Sequence, residues 1–217
     1  MPNLPVLFLS GAGFPPWIWE EVRSTLDVES VVAPSARPNG TLDEYARAAL
    51  DAAGAWPRCH VVAHSIGGVL AAALVARAAD RIDAVTAVCA VVPRAGASFV
   101  GSLPRPQRYL MAAMVRLLGT KPPDSVIRSA ASGVDASTAD RVVAEFEPES
   151  RRLYLDRAPA HTWPGDVAYV QTTEDREFPA ALQERYAARL GAAVRPLPTG
   201  HLAMLQDPGG LAALLAD

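Results

Sequence analysis

The sequence predicts an α/β fold in a single domain: a mainly parallel sheet of about six strands with helices on both faces. Strand-like and helix-like segments alternate through residues 4–92 and resume after 163. Parallel sheets require such alternation, because the chain must cross back over the sheet before the next strand can run the same way. The run A-V-T-A-V-C-A-V-V at 84–92 carries no charge and reads as a strand buried on both faces, the habit of parallel sheets. Half of the 217 residues are apolar and 20% are charged, enough for a substantial core in one unit of ordinary size.

Taken in order, residues 4–10 read as a strand and 16–26 as a helix with proline in its first turn, where a missing N–H costs nothing. Residues 28–33 are a second strand. A helix over 41–55 is announced by the capping box Thr41-x-x-Glu44. Residues 58–63 form the third strand, 66–79 an alanine-rich helix suited to burial on the sheet, and 84–92 the fourth strand. Strand-like runs return at 167–173 and 193–197, and a last helix follows His201.

Between Pro93 and Trp163 the alternation stops. Prolines stand at 104, 106, 122, 123, 148 and 159, and the pattern suggests short helices at 105–118, 124–131, 137–147 and 149–157. A helical insertion at about 94–161, leaving from the carboxyl ends of core strands, is expected to sit as a cap where open α/β sheets bind ligands. In Y-L-M-A-A-M-V-R-L-L, the residues Leu110, Met111, Met114, Val115 and Leu118 make a broad apolar stripe. It reads either as a face packed on the core or as pocket lining. The adaptable methionines Met111 and Met114 favour a hydrophobic acyl or ring pocket.

The net charge of −3 and the lack of a basic stripe exclude nucleic acid as an expected partner. No apolar stretch approaches the length of a membrane span. The start Met1-Pro-Asn lacks a positive region and the apolar run 4–9 is short for a signal peptide, so a cytoplasmic location is expected. Cys59 and Cys89 read as buried structural thiols. No metal-ligand spacing is present, and neither a metal nor another cofactor is expected.

The chemistry gathers at V-V-A-H-S-I-G-G, residues 61–68. A strand that ends in small-x-Ser-x-Gly and turns at once into a helix must bend sharply. The positions two before and two after the serine are then crowded, which suits Ala63 and Gly67, while Gly68 gives room for helix packing. The turn lifts the Ser65 hydroxyl clear and sets it at the positive end of the following helix. An N-cap serine on an ordinary loop explains Ser65 alone, but not the small residues around it. Asp175 follows the strand-like run 167–173, and His201 follows 193–197. Serine, acid and histidine therefore occur in that chain order, each at the carboxyl end of a strand. A serine hydroxyl needs a base to take its proton, and the imidazole needs a carboxylate to hold its tautomer. Glu174 is the rival acid, but adjacent side chains point different ways and only one can orient His201. His60 and His161 read as structural, and His64, beside the serine, as a residue of the pocket wall.

At these residues the chain resembles the α/β-hydrolase superfamily. V-L-F-L-S-G-A-G-F-P-P-W-I-W looks like its first core strand, oxyanion loop and tryptophan-bearing helix, and T-G-H-L-A-M-L-Q-D-P like its histidine loop. The likeness covers residues 4–92 and 163–217. It is nearest to the small esterase and hydroxynitrile-lyase-like branch, which shares the phrase T-x-E-D-x-x-x-P-x-x-x-Q around the acid. Ala63 stands where the family usually has its first glycine, and Ser10 where a histidine usually precedes glycine. The resemblance implies the α/β-hydrolase fold and a Ser65–Asp175–His201 triad, with Asp175 preferred over Glu174. It also implies an oxyanion hole of the Ala12 and Ile66 backbone N–H groups. The leading expectation is a serine hydrolase that cleaves a small to medium hydrophobic ester through an acyl-enzyme. Alternatives on the same triad are a thioesterase or cyclase fed by an acyl carrier protein, and a cofactor-free lyase. A non-catalytic small-molecule receptor is the alternative outside enzymes. The insertion's ten basic against seven acidic residues read either as ordinary surface solvation or as a mouth that attracts an anionic substrate or acidic carrier.

Overall fold

Six strands pair in the order β2-β1-β3-β4-β5-β6, every neighbour parallel. They are β1 (Val6–Leu9), β2 (Ser30–Val32), β3 (Cys59–His64), β4 (Ile82–Val88), β5 (Asp166–Thr172) and β6 (Val194–Leu197). The computed structural model describes residues 4–34 and 39–216. Side chains alternate across the sheet as strand geometry demands. Leu7, Leu9, Val61, Ala63, Val85, Ala87 and Tyr169 enter one core. Helices α2 (Leu42–Ala52), α3 (Gly67–Arg77) and α9 (Ala180–Leu190) cover it. Val6, Phe8, Val62, Val88, Val170 and Leu197 enter the other, covered by α1 (Glu20–Thr25), α10 (Ala203–Gln206) and α11 (Pro208–Ala216). Burial on both faces is why the central strands are mostly apolar rather than alternating, with His60, His64 and Thr86 as buried polar exceptions.

The chain runs from β1 outward to β2, then crosses back to β3 on the other side of β1. That reversal opens a crevice between the carboxyl ends of β1 and β3. The loop after β1 and the turn carrying Ser65 flank it.

Several segments depart from the sequence expectation, each for a local reason. The fourth strand ends at Val88 rather than 92, because Cys89 adopts a positive φ of 37° and turns the chain. Residues 90–92 stay buried, and the Val91 N–H turns to the Ser65 carbonyl instead of a neighbouring strand. The first helix begins as a 3-10 turn, Pro16–Trp19. The last is broken at Asp207, whose carboxylate accepts the Gly210 N–H at the start of α11. The Thr41–Glu44 capping box forms in both directions. Helix α9 has no counterpart in the sequence reading; its arginine- and alanine-rich outer face dilutes the apolar periodicity.

Between β4 and β5 lie α4 (Phe99–Ser102), α5 (Gln107–Leu117), α6 (Asp124–Ala130), α7 (Ala136–Ala144) and α8 (Arg151–Leu155). The stripe on α5 is not the pocket wall the sequence suggested. The helix rests on α4 and α8, short elements that offer only a narrow contact. Val115 is buried and Met111 half-buried, while Leu110, Met114, Leu117 and Leu118 face solvent.

Gly67 and Gly68 show how tightly α3 is drawn onto the sheet. A Cβ on Gly67 would stand 2.7 Å from the Leu9 carbonyl oxygen, and one on Gly68 2.4 Å from that of Val91. Gly67 is therefore required by the neighbouring strand β1. Gly68→Ala is expected to destabilise the fold by roughly 3 kcal/mol through overpacking against backbone. A lower urea midpoint checks this. Gly209→Ala, in a helix with nothing within 4 Å, serves as the control and is expected to gain roughly 0.5–1 kcal/mol.

Candidate active site

Ser65 sits between β3 and α3 with φ of 55°, a left-handed conformation that costs a non-glycine residue on the order of 1–2 kcal/mol. The surroundings hold it there. Its N–H donates to Val88, and its carbonyl accepts from Val91 and Gly68. The turn brings the hydroxyl to the loop after β6, where Ser65 Oγ lies 3.2 Å from His201 Nε2. On the other side of the ring, His201 Nδ1–H donates to Asp175 Oδ2 at 2.8 Å. Three residues from three strand ends thus form one buried chain of hydrogen bonds.

The acid is held by its loop. Asp175 Oδ1 accepts the backbone N–H groups of Glu177 (2.7 Å) and Phe178 (3.0 Å), and Oδ2 also accepts the Thr172 hydroxyl (3.1 Å). Gln183, wholly buried, receives the Thr172 N–H and donates to the Thr172 and Phe178 carbonyls. The threonine and glutamine of the T-x-E-D-x-x-x-P-x-x-x-Q phrase are therefore bonded partners that brace the acid between them. Glu174 points to solvent.

Burial opposes charge on Asp175, but the His201 hydrogen bond and charge and the two N–H donors outweigh it, holding its pKa below the usual carboxylate value. Burial likewise opposes an imidazolium at His201, yet the Asp175 hydrogen bond and charge raise its pKa above the usual histidine value. Cys89 Sγ lies 3.8 Å from the same ring. Burial pushes that thiol up, so it stays neutral, and Asp175 is the charge that raises His201.

His64 does not line a pocket. It is 0% exposed, with Nδ1 accepting the Gly11 N–H at 3.1 Å and Nε2 donating to the His201 carbonyl at 2.9 Å. A backbone N–H can only donate and a carbonyl can only accept, so the ring must carry its hydrogen on Nε2. Burial, with the neighbouring His201, pushes its pKa down to about 3 and keeps it neutral. It is a strut between the loop after β1 and the histidine loop. Gly11 is needed for that approach: a Cβ there would meet His64 Nδ1 at 2.7 Å. His60 bonds Thr86 inside the sheet, and His161 bonds the Pro159 carbonyl.

The loop after β1 is pinned further from the insertion. Glu149 Oε1 accepts the Gly13 N–H, Oε2 accepts the Tyr45 hydroxyl, and the Gly13 carbonyl accepts the Glu147 N–H. Ser10 receives the Trp19 indole N–H at 3.0 Å. Among the described residues, the N–H groups of Ala12 and Ile66 donate to no protein acceptor. Ile66 is nearly inaccessible, and a buried N–H without a partner is rare unless a ligand supplies the acceptor.

Aromatic rings that the sequence reading did not single out surround the histidine. Phe178 and Phe14 lie 5.5 and 6.4 Å from its ring, and Phe146 from the insertion meets Phe14 edge-on. Each is an isolated phenylalanine in a loop, with no periodicity to mark it. The fold also gathers His64, Cys89 and His201, whose ligand atoms lie within 4.8 Å of one another, a grouping that sequence spacing did not foreshadow. The nitrogens of both rings already have hydrogen-bond partners.

A parallel sheet that presents serine on a strained strand-to-helix turn, with histidine and carboxylate at later strand ends, defines the α/β-hydrolase class. The profile of the Alpha/beta hydrolase family matches residues 6–214, and the chain belongs to that family. The chain is 36% identical over 105 residues to probable esterase PIR7A of Oryza sativa subsp. indica, a match covering 42% of this chain and 40% of that relative. The match thus spans about two-fifths of the curated relative's length. Among solved structures, an extracellular alpha/beta-hydrolase from a Paenibacillus species superposes with a TM-score of 0.82 at 17% identity, over 98% of both chains. A methylesterase from Arabidopsis superposes with a TM-score of 0.74 at 19% identity, over 98% of this chain and 97% of that one. At such identities the superpositions establish the fold. No helix among the described residues is long and apolar enough to cross a membrane.

Proposed function

We propose that the protein is a carboxylic-ester hydrolase working through an acyl-enzyme on a small to medium hydrophobic substrate. The observation that carries this reading is the bonded chain Ser65 Oγ–His201–Asp175, with Ser65 held at positive φ. Ser65 attacks the ester carbonyl while His201 Nε2 takes its proton. Asp175 keeps the Nδ1–H tautomer and supports the imidazolium that forms. The oxyanion falls to the unpaired N–H groups of Ala12 and Ile66, each such donor contributing roughly 3 kcal/mol of transition-state stabilisation. His201 then returns the proton to the leaving alcohol and activates water for deacylation. Phe14, Phe146 and Phe178 supply the apolar surroundings, and the helical insertion acts as the cap. The esterase relatives support ester chemistry over the alternatives.

Labelling with a fluorophosphonate followed by intact mass tests the nucleophile: one adduct on Ser65 is expected, and none would sink the reading. A panel of short, long and thioester acyl substrates then tests the leaving group, with oxygen esters expected to turn over fastest.

The raised His201 pKa fixes the pH response. The base form populates only above that pKa, so kcat/KM for a neutral ester is expected to climb as pH rises above the usual histidine value of about 6.5. A flat profile across that range would contradict it. Stability responds in the opposite sense. The contribution of the raised histidine is complete below about pH 6.5, its unfolded value, and is lost as pH rises through the folded value. The contribution of Asp175, whose pKa is lowered, is present above about pH 4 and lost on further acidification.

A further inference from the structure

A second polar feature lies away from the Ser65–His201–Asp175 chain. Arg94, Arg105 and Arg108, from the start of the insertion, converge with Arg185 and Arg189 of α9 on a cleft of about 300 Å³. No carboxylate lines it, and none of its lining residues belongs to the bonded chain of the candidate active site. Among the described residues none of these five arginines pairs with an acid, whereas six arginines elsewhere do. Gathering unpaired like charges around a small volume is unfavourable in the absence of a counter-charge.

The cleft is also built rather than accidental. The Tyr186 hydroxyl donates to the Ser102 carbonyl at 3.1 Å, fastening α9 to the segment that carries Arg94, Arg105 and Arg108. Arg189 donates to the Val92 carbonyl and lies over the Tyr186 ring, 5.3 Å from its centre. Arg108 is held by the Tyr109 hydroxyl at 2.9 Å. Burial lowers the Arg189 pKa, and the charges of Arg94 and Arg185 push it the same way.

We propose that this arginine-lined cleft binds a multiply charged phosphate group of the pyrophosphate class. Guanidinium forks match phosphate oxygens two by two, and five of them exceed what one carboxylate can neutralise. A compact polyphosphate offers several negative charges within the cleft's small volume. The proposal does not depend on the ester-hydrolase reading, because binding is measured without turnover.

Calorimetric titration of the whole protein with inorganic pyrophosphate tests it. Saturable binding at one site is expected. Two separate pairs of changes, Arg185→Gln with Arg189→Gln and Arg105→Gln with Arg108→Gln, are each expected to weaken it at least tenfold. The pair Arg47→Gln with Arg77→Gln, outside the cleft, is expected to leave it unchanged. Because the two cleft pairs lie on different elements, a folding defect in one leaves the other as the test. Vesicles containing phosphatidic acid identify the source of the phosphate. Capture by vesicles that pyrophosphate competes away supports the cleft and places the group on a lipid; pyrophosphate binding without vesicle capture supports it and places the group on a free ligand. Absence of saturable binding overturns the proposal. So does equal weakening by the outside pair, or full reproduction of the competition by sodium chloride at matched ionic strength.

Discussion

Replacement of Ser65 by alanine is expected to lower kcat for a p-nitrophenyl ester about a million-fold, the loss seen when a nucleophile is removed from a coupled triad. The fold should survive. The backbone bonds that hold residue 65, to Val88, Val91 and Gly68, do not involve the hydroxyl, and the only side-chain partner of Ser65 among the described residues is His201. Thermal unfolding is therefore expected within a few degrees of the parent, while fluorophosphonate labelling disappears. Retention of most activity in this variant would remove Ser65 from the mechanism.

Asp175→Asn should cost about 10⁴-fold in kcat, and the structure explains why an almost isosteric change does so much. Asp175 Oδ1 is anchored by two backbone N–H donors, so the amide oxygen of an asparagine must take that place. Its NH₂ then faces His201 Nδ1, which is forced to accept. The ring hydrogen moves to Nε2, where it meets Ser65 and blocks removal of the serine proton. The pull that raises the His201 pKa is lost at the same time, so any residual activity should keep its pH dependence at lower pH than the parent. Glu174→Gln, on a solvent-facing side chain, is expected to change kcat less than twofold. The reverse ranking would make Glu174 the acid.

Much of this was legible along the chain. Alternating strand and helix patterns predict the parallel sheet, because buried strands must be apolar and crossover helices amphipathic. The Thr41–Glu44 box marks a helix start because both of its hydrogen bonds are local. Candidates Ser65, Asp175 and His201 stand out because each sits in a short motif just past a strand. Elements whose signals are weak or long-range do not show along the chain. The strand at 84–92 is cut at Cys89 by a turn that only the Ser65 backbone explains. The α5 stripe has helical periodicity, but periodicity reports that one face is apolar, not what it meets; Met114 meets solvent.

The order of the six strands, which side of the sheet each helix covers, and the alignment of Ser65, His201 and Asp175 within hydrogen-bond reach arise only when distant segments pack. The same holds for His64. Its position beside the serine suggests a pocket wall, yet it is a buried strut whose partners, Gly11 and His201, lie 53 and 137 residues away. The five arginines of the cleft are scattered over two segments of the chain that share no pattern, and the fold alone makes them neighbours. By itself the sequence determined most of the strands and helices, though not α9, and which residue types can carry the chemistry, because propensity, capping and turn sterics act within a few residues. Burial, tautomer, charge pairing and shared cavities depend on contacts across the chain, so only the tertiary structure decided them.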